Sequence, residues 1–145
     1  MKKGITLIEI LVVIAIISVI AALSLPVYRK AKQRALIVKT LSIINSIEAA
    51  LSMYSTDFGD YPHYEGEGTD FLVLLLQGPV DSHLWKGPYI RFKKEDLDNE
   101  GNILDAWKMQ ISYRYPQDKY SNVPYIIVSA GPDRKFDTTD DIGNW

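Results

Sequence analysis

The chain has 145 residues, no cysteine, and 16 Lys+Arg against 18 Asp+Glu, for a formal net charge of −2. Its length is that of one domain, and the missing cysteines exclude disulfides, thiolate catalysis and cysteine-ligated zinc. The near-neutral total hides a division: residues 1–56 carry seven basic and two acidic side chains, residues 57–145 nine and sixteen. The basic residues at the front border a long apolar run, so the split predicts two surroundings rather than nucleic-acid binding.

Met1-Lys2-Lys3-Gly4 is a short basic leader, and Ile5 to Leu25 is apolar except for Glu9. A run of this length meets the roughly 20 residues a helix needs to cross a bilayer. Its length and its carboxylate argue against an ordinary signal peptide, although Ala21-Ala22 leaves a signal-peptidase cut open. Pro26 closes the run, where a proline removes one helical hydrogen bond and loosens the helix. The helical period then resumes. Ile37, Leu41, Ile44, Ile47, Leu51 and Tyr54 recur at three- and four-residue steps, with Phe58 beyond, which predicts one apolar stripe. Arg29, Lys30, Lys32, Arg34 and Lys39 occupy polar positions, and Gly59 and Pro62 stop the pattern. A nearly continuous helix from about Ile5 to Asp57 would run roughly 80 Å, more than a small globule can bury. Part of it must lie in lipid or against copies of itself.

Residues 59–145 change character, with glycines, prolines and aromatics between short segments. Thr69 to Leu76 reads as a short buried helix with Thr69 as N-cap. Gln110 to Tyr115 alternates like a strand, Tyr125 to Ser129 reads as a more buried one, and Tyr89 to Phe92 as a third, with short connections that favour antiparallel pairing. Trp85, Tyr89 and Trp107 read as core aromatics. His63 and His83 lack ligand spacing, and no nucleophile elbow, P-loop or dinucleotide fingerprint occurs. The chain reads as a non-enzyme. Asp133, Asp137, Asp140 and Asp141 fall within nine residues on a loop led by Gly131-Pro132. Such a set suits calcium, which takes 6–8 hard oxygens, or is a solvated acidic loop. An EF-hand is excluded, because Asn144 stands where its last acid would be. Glu48, the one acid between Glu9 and Asp57, is either an assembly contact or part of a solvated helix face.

Gly4-Ile5-Thr6-Leu7-Ile8-Glu9 resembles the processing motif of type IV pilins and type II secretion pseudopilins. The resemblance implies that a prepilin peptidase cuts after Gly4 and that Ile5 becomes an N-methylated terminus. It also matches Glu9 to the family's glutamate and Pro26 to its helix-loosening proline. Ile5 departs from the usual first residue, Phe. Pairing of Glu9 with the amine freed at Ile5 of a neighbouring subunit would draw copies together with a fixed stagger. Counting Lys and Arg near the apolar run places the following region in the cytoplasm. The resemblance implies the reverse, with the leader cytoplasmic, and leaves the five basic residues to meet acids of neighbouring subunits.

A second resemblance covers the rest. Tyr61-Pro62, Trp85-Lys86-Gly87-Pro88-Tyr89, Leu104-Asp105-Ala106-Trp107, Ser129-Ala130-Gly131-Pro132-Asp133 and the closing Thr139 to Trp145 stand in the order seen in major pseudopilins of type II secretion. Where that family commonly reads Asp-Pro-Trp-Gly-Asn-Pro, Asp105 to Gln110 keeps only the Asp and the Trp. The resemblance implies calcium in the C-terminal loop, with Asp133 and Asp141 first, then Asp140 and Asp137. The expected fold is α+β, a pilin fold: a long N-terminal helix, its first half transmembrane, packed by its C-terminal half on a small antiparallel sheet. The expected segments are a leader at 1–4, a membrane and filament-core helix at 5–25, its amphipathic continuation at 26–58 and a periplasmic head at 59–145. The expected role is a subunit of a self-assembled periplasmic pseudopilus, anchored in the inner membrane, that helps drive folded exoproteins through the outer membrane. Prepilin peptidase, minor pseudopilins and an inner-membrane assembly platform are the expected partners. Glu48 is expected to meet Arg91, Lys93 or Lys94 of a neighbouring copy. The rival readings are a major pilin of a surface pilus and a membrane-anchored periplasmic binding protein that shares only the export motif.

Overall fold

The computed structural model describes residues 7–64 and 68–145. The chain forms two compact units divided between Ala35 and Leu36. Helix α1, Leu7–Phe58, contributes to both and passes through Pro26 without a break. One proline removes one backbone donor, which the turns on either side tolerate. Gly59 ends the helix at φ +82°, its N–H reaching the Ser55 carbonyl at 2.8 Å. This is the left-handed conformation that glycine adopts just past a helix end.

In the second unit the stripe of α1 is Thr40, Ile44, Ile47, Leu51 and Tyr54, with Ala50 beside it, all buried. Leu41, expected on that stripe, is 38% exposed. Thr40 takes its place, because its hydroxyl accepts the Ala106 N–H at 3.2 Å and so satisfies a polar group inside. Helix α2, Asp70–Gln77, begins after Thr69 as expected and ends one residue later than Leu76. Thr69 is its N-cap residue, but its side chain does not cap. Asn102 Oδ1 instead accepts the N–H groups of Thr69 (2.8 Å) and Asp70 (3.1 Å). The Thr69 hydroxyl is spent on the Ile103 N–H at 2.8 Å. The cap thus comes from 33 residues away, where no local pattern reveals it.

Three short antiparallel strands form the sheet: β1 (Ser112–Arg114), β2 (Ile126–Ser129) and β3 (Ile142–Gly143), in the order β1-β2-β3. Tyr113 faces Ile127 and Val128 faces Gly143. The first two strands are those expected, shortened at their ends. Tyr89 to Phe92 is not a strand. Its backbone N–H groups go to the end of α2, Tyr89 to the Leu76 carbonyl (2.8 Å) and Phe92 to Gln77 Oε1 (2.6 Å). The third strand is β3, too short for an alternating pattern to show. Ile44, Ile47 and Leu51 of α1 share one core with Leu72 and Leu76 of α2 and with Ile103, Ile111, Tyr113 and Ile127. Tyr113 donates its hydroxyl to the Pro62 carbonyl at 2.9 Å, and Trp85 Nε1 donates to the Leu75 carbonyl at 3.0 Å.

The turn after Asp105 is held by that side chain. Asp105, 2% exposed, accepts the N–H groups of Trp107 (2.8 Å) and Met109 (2.9 Å) and the Ser129 hydroxyl (2.6 Å). Lys108 stands where the related motif has glycine, and it holds φ +66°. The left-handed region costs a residue with a Cβ about 1 kcal/mol or more. Lys108 Nζ reaches the Glu95 carbonyl at 2.5 Å, an exposed contact that recovers little. Lys108→Gly is expected to stabilise the fold by about 0.5–1 kcal/mol. Urea unfolding checks it, and an unchanged or lowered midpoint would show that the turn is unstrained.

Candidate functional site

The first unit offers an apolar rod. Helix α1 is long and apolar enough, by length and composition, to cross a membrane. Its side chains are exposed throughout the run, from Leu7 (84%) to Leu23 (70%). Ser18, inside the run, and Ser24, near its end, turn their hydroxyls back to the carbonyls of Ile14 (2.7 Å) and Ile20 (2.8 Å). That internal pairing is what a helix in lipid requires of its hydroxyls. Glu9 lies exposed in the first turn, and Pro26 follows the run. Gly4 and Ile5, the expected cleavage and methylation positions, lie outside the described residues.

The second unit carries the other candidates. Glu48 is half-buried on α1 and accepts the Asn144 amide at 3.4 Å. Asn144 also takes the Ile127 N–H (2.9 Å) and donates to the Tyr125 carbonyl (3.2 Å), which ties the last residues to β2. Asn144 was legible only as part of a closing motif, because an amide that bridges a helix and a strand leaves no local spacing. Arg91, Lys93 and Lys94 are exposed, with Lys93 at 3.8 Å from Glu95. His63 sits 3.1 Å from Asp60 and edge-on to Tyr115, in line with an ordinary surface role.

The acidic loop is folded tightly. Gly131 adopts φ +63°, and a Cβ there would stand 2.2 Å from the Asp140 carbonyl oxygen, so only glycine lets the two ends of the loop close. Asp140 Oδ2 accepts the Asp133 N–H at 3.0 Å, and Asp141 Oδ2 accepts the Asp137 N–H at 2.8 Å. The Thr138 hydroxyl lies 2.7 Å from Asp140 Oδ1 and 3.5 Å from Asp141 Oδ1. The bond from Thr138, helped by the Asp133 N–H, holds the Asp140 carboxyl below the usual carboxylate range. Asp137 is drawn away: Lys119 Nζ binds its carboxylate at 2.9 Å and depresses its pKa. The Asp133 carboxylate turns to the Lys135 N–H at 2.8 Å.

Among the described residues no three acidic or histidine side chains are placed to hold a metal ion. The loop does bring together Asp140, Asp141 and the Thr138 hydroxyl. Two carboxylates and a hydroxyl are hard oxygen donors, and calcium completes such a set with backbone carbonyls. The donor types in the loop are those that calcium takes.

Comparison with known proteins bears on both units. The family model described as type II secretion system (T2SS), protein G, matches residues 28–145. The chain belongs to the T2SS protein G family. A second model, the prokaryotic N-terminal methylation motif, matches residues 1–25, which include Gly4, Ile5 and Glu9. The type II secretion system core protein G of Escherichia coli K12 is 33% identical, over 99% of this chain and 91% of that protein. That of Pseudomonas aeruginosa is 34% identical, over 99% and 95%. The crystal structure of the major pseudopilin from the type 2 secretion system of enterohaemorrhagic E. coli matches with a TM-score of 0.51 and 29% identity, covering 80% of this chain and 87% of that one. The α+β fold and the major-pseudopilin family of type II secretion are thus the ones the resemblance implied.

Proposed function

We propose that this chain is the main structural subunit of a periplasmic pseudopilus, a homopolymer that helps move folded proteins across the outer membrane in type II secretion. The match to protein G along 28–145 carries this reading, and it favours secretion over a surface pilus. The exposed apolar helix supports it physically, since such a surface needs lipid or copies of itself to cover it. In this reading prepilin peptidase cuts after Gly4, Ile5 is methylated, and the helix anchors the chain in the inner membrane until assembly. Minor pseudopilins and the inner-membrane platform start the filament. Glu9 pairs with the amine of a neighbouring Ile5, and Glu48 with Arg91 of another copy. Calcium closes the acidic loop through Asp140 and Asp141. The chain performs no catalysis.

The test joins mass spectrometry with electron microscopy on the chain co-produced with a prepilin peptidase. The mature protein should begin at a methylated Ile5 and form thin filaments. A mature terminus near Leu23, or processed chain that stays monomeric, would sink the reading.

A further inference from the structure

Four basic residues follow the apolar run within six positions: Arg29, Lys30, Lys32 and Arg34. All are helical and exposed, and none takes part in an ion pair among the described residues. No acid occurs between Glu9 and Glu48, so their charge is uncompensated along α1. Two geometric facts narrow what could meet them.

The first is axial position. A helix rising about 1.5 Å per residue places Leu25 about 27 Å beyond Leu7, near the roughly 30 Å thickness of the hydrocarbon layer. Arg29 to Arg34 then fall about 33 to 40 Å along the axis, where the headgroup layer adds about 5–8 Å. Long basic side chains reach back along their stems, so Arg34 belongs to the same layer. The second is angular spread. At about 100° per residue the four positions cover about 200° of the helix circumference. A single protein partner meets a helix from one side, whereas a headgroup layer surrounds it.

We propose that Arg29, Lys30, Lys32 and Arg34 form a collar that binds the phosphate groups of anionic phospholipids around the helix at the end of its membrane span. This rests on the reading of residues 7–25 as a membrane span. The collar resolves the charge conflict at the helix end. Four cations outside the leader-side leaflet find counter-charge in lipid, and they hold the subunit at a fixed depth before assembly.

Spin-label electron paramagnetic resonance tests it on the full chain in phosphatidylcholine bilayers. The probes are spin-labelled phosphatidylglycerol and spin-labelled phosphatidylcholine. A basic residue near an anionic surface is worth about fivefold in binding, so phosphatidylglycerol should associate with the helix about fivefold or more over phosphatidylcholine. Salt of about 1 M, where screening falls to about 3 Å, should remove most of that preference. In the K2Q/K3Q background, substitution of all four residues (R29Q, K30Q, K32Q, R34Q) should reduce it to below about twofold. Glutamine keeps helix propensity, and an unchanged melting curve of the second unit shows that the variant is folded. The K2Q/K3Q chain should keep the preference.

Equal association of the two lipids overturns the collar and leaves the cations to acids of neighbouring copies. A preference that survives the fourfold substitution overturns it as well. Loss of the preference in millimolar inorganic phosphate at constant ionic strength would assign the site to a free anion instead. If neither lipid shows a motionally restricted fraction, the membrane span itself fails, and the collar with it.

Discussion

Glu9→Ala is expected to leave the chain in the membrane and to abolish filaments. Glu9 lies in the first turn of α1, on an exposed surface flanked by Ile8, Ile10 and Leu11. A carboxylate inside a membrane span costs about 2.5–3.5 kcal/mol at the helix centre and less toward an end. Alanine removes that cost, so membrane retention after alkaline extraction should equal or exceed that of the parent. Assembly should fail, because the proposed partner, the amine of a neighbouring Ile5, would then enter an apolar core without counter-charge. Leaving one charge of a buried pair alone costs about 3–5 kcal/mol per contact, and a filament repeats the contact in every subunit. Electron microscopy should show no filaments, and normal filaments would make the carboxylate dispensable. The same assay separates Glu48 from Glu9. Glu48→Arg should block assembly, and Arg91→Glu should partly restore it, since Arg91 is exposed and Glu48 half-buried beside Asn144. If no reciprocal exchange restores filaments, Glu48 serves only its own fold through Asn144.

The parts of this molecule that were legible in the sequence are those written in local periods. The apolar run shows by its unbroken length, the stripe of Ile44, Ile47, Leu51 and Tyr54 by its helical period, and both lie on α1. Strands β1 and β2 were legible because alternation and β-branched residues mark them. What stayed hidden depends on residues far apart in the chain. Asn102 caps α2 from a distant loop, and Asp105 binds Ser129 across 24 residues. Thr40 looks like a surface residue until Ala106 supplies its hydrogen bond. The extended Tyr89 to Phe92 segment has strand-like residues, but its donors are taken by α2. In the acidic loop the sequence showed the donor types and not their division. Asp133 and Asp141 were the first choices by position in the motif. The fold sets Asp140 beside Asp141 at Thr138, turns the Asp133 carboxylate to Lys135, and gives Asp137 to Lys119.

That division makes the calcium prediction specific. Asp140 and Asp141 converge on one hydroxyl, so without a cation their charges oppose each other at the centre of the loop. The backbone beside them is strained, with Arg134 at φ +62° and Asp137 at φ +63°. Left-handed conformations of such residues cost about 1–3 kcal/mol each and persist only where the surroundings enforce them. An ion that binds only the folded loop adds stability by mass action, about 2.7 kcal/mol at a hundred times its dissociation constant. For a folded unit of this size that corresponds to a rise of about 10 °C in Tm. The full chain in neutral detergent should therefore melt about 10 °C lower after chelation, and calcium should restore it. Magnesium should restore little, because it demands tighter octahedral geometry and keeps its waters. Asp140→Ala and Asp141→Ala should each remove the calcium response. Asp137→Ala should keep it, since that carboxylate is already committed to Lys119. The acid limit has a definite sign. The Asp140 carboxyl is held below the ordinary carboxylate range, so its contribution is full above the unfolded value and is lost as pH falls through the depressed one. The chelated protein should accordingly lose stability as pH falls below the usual carboxylate range, which melts at stepped pH would show. Calorimetry that finds no calcium binding to the intact chain at millimolar concentrations would leave the loop a set of internal hydrogen bonds closed by Gly131.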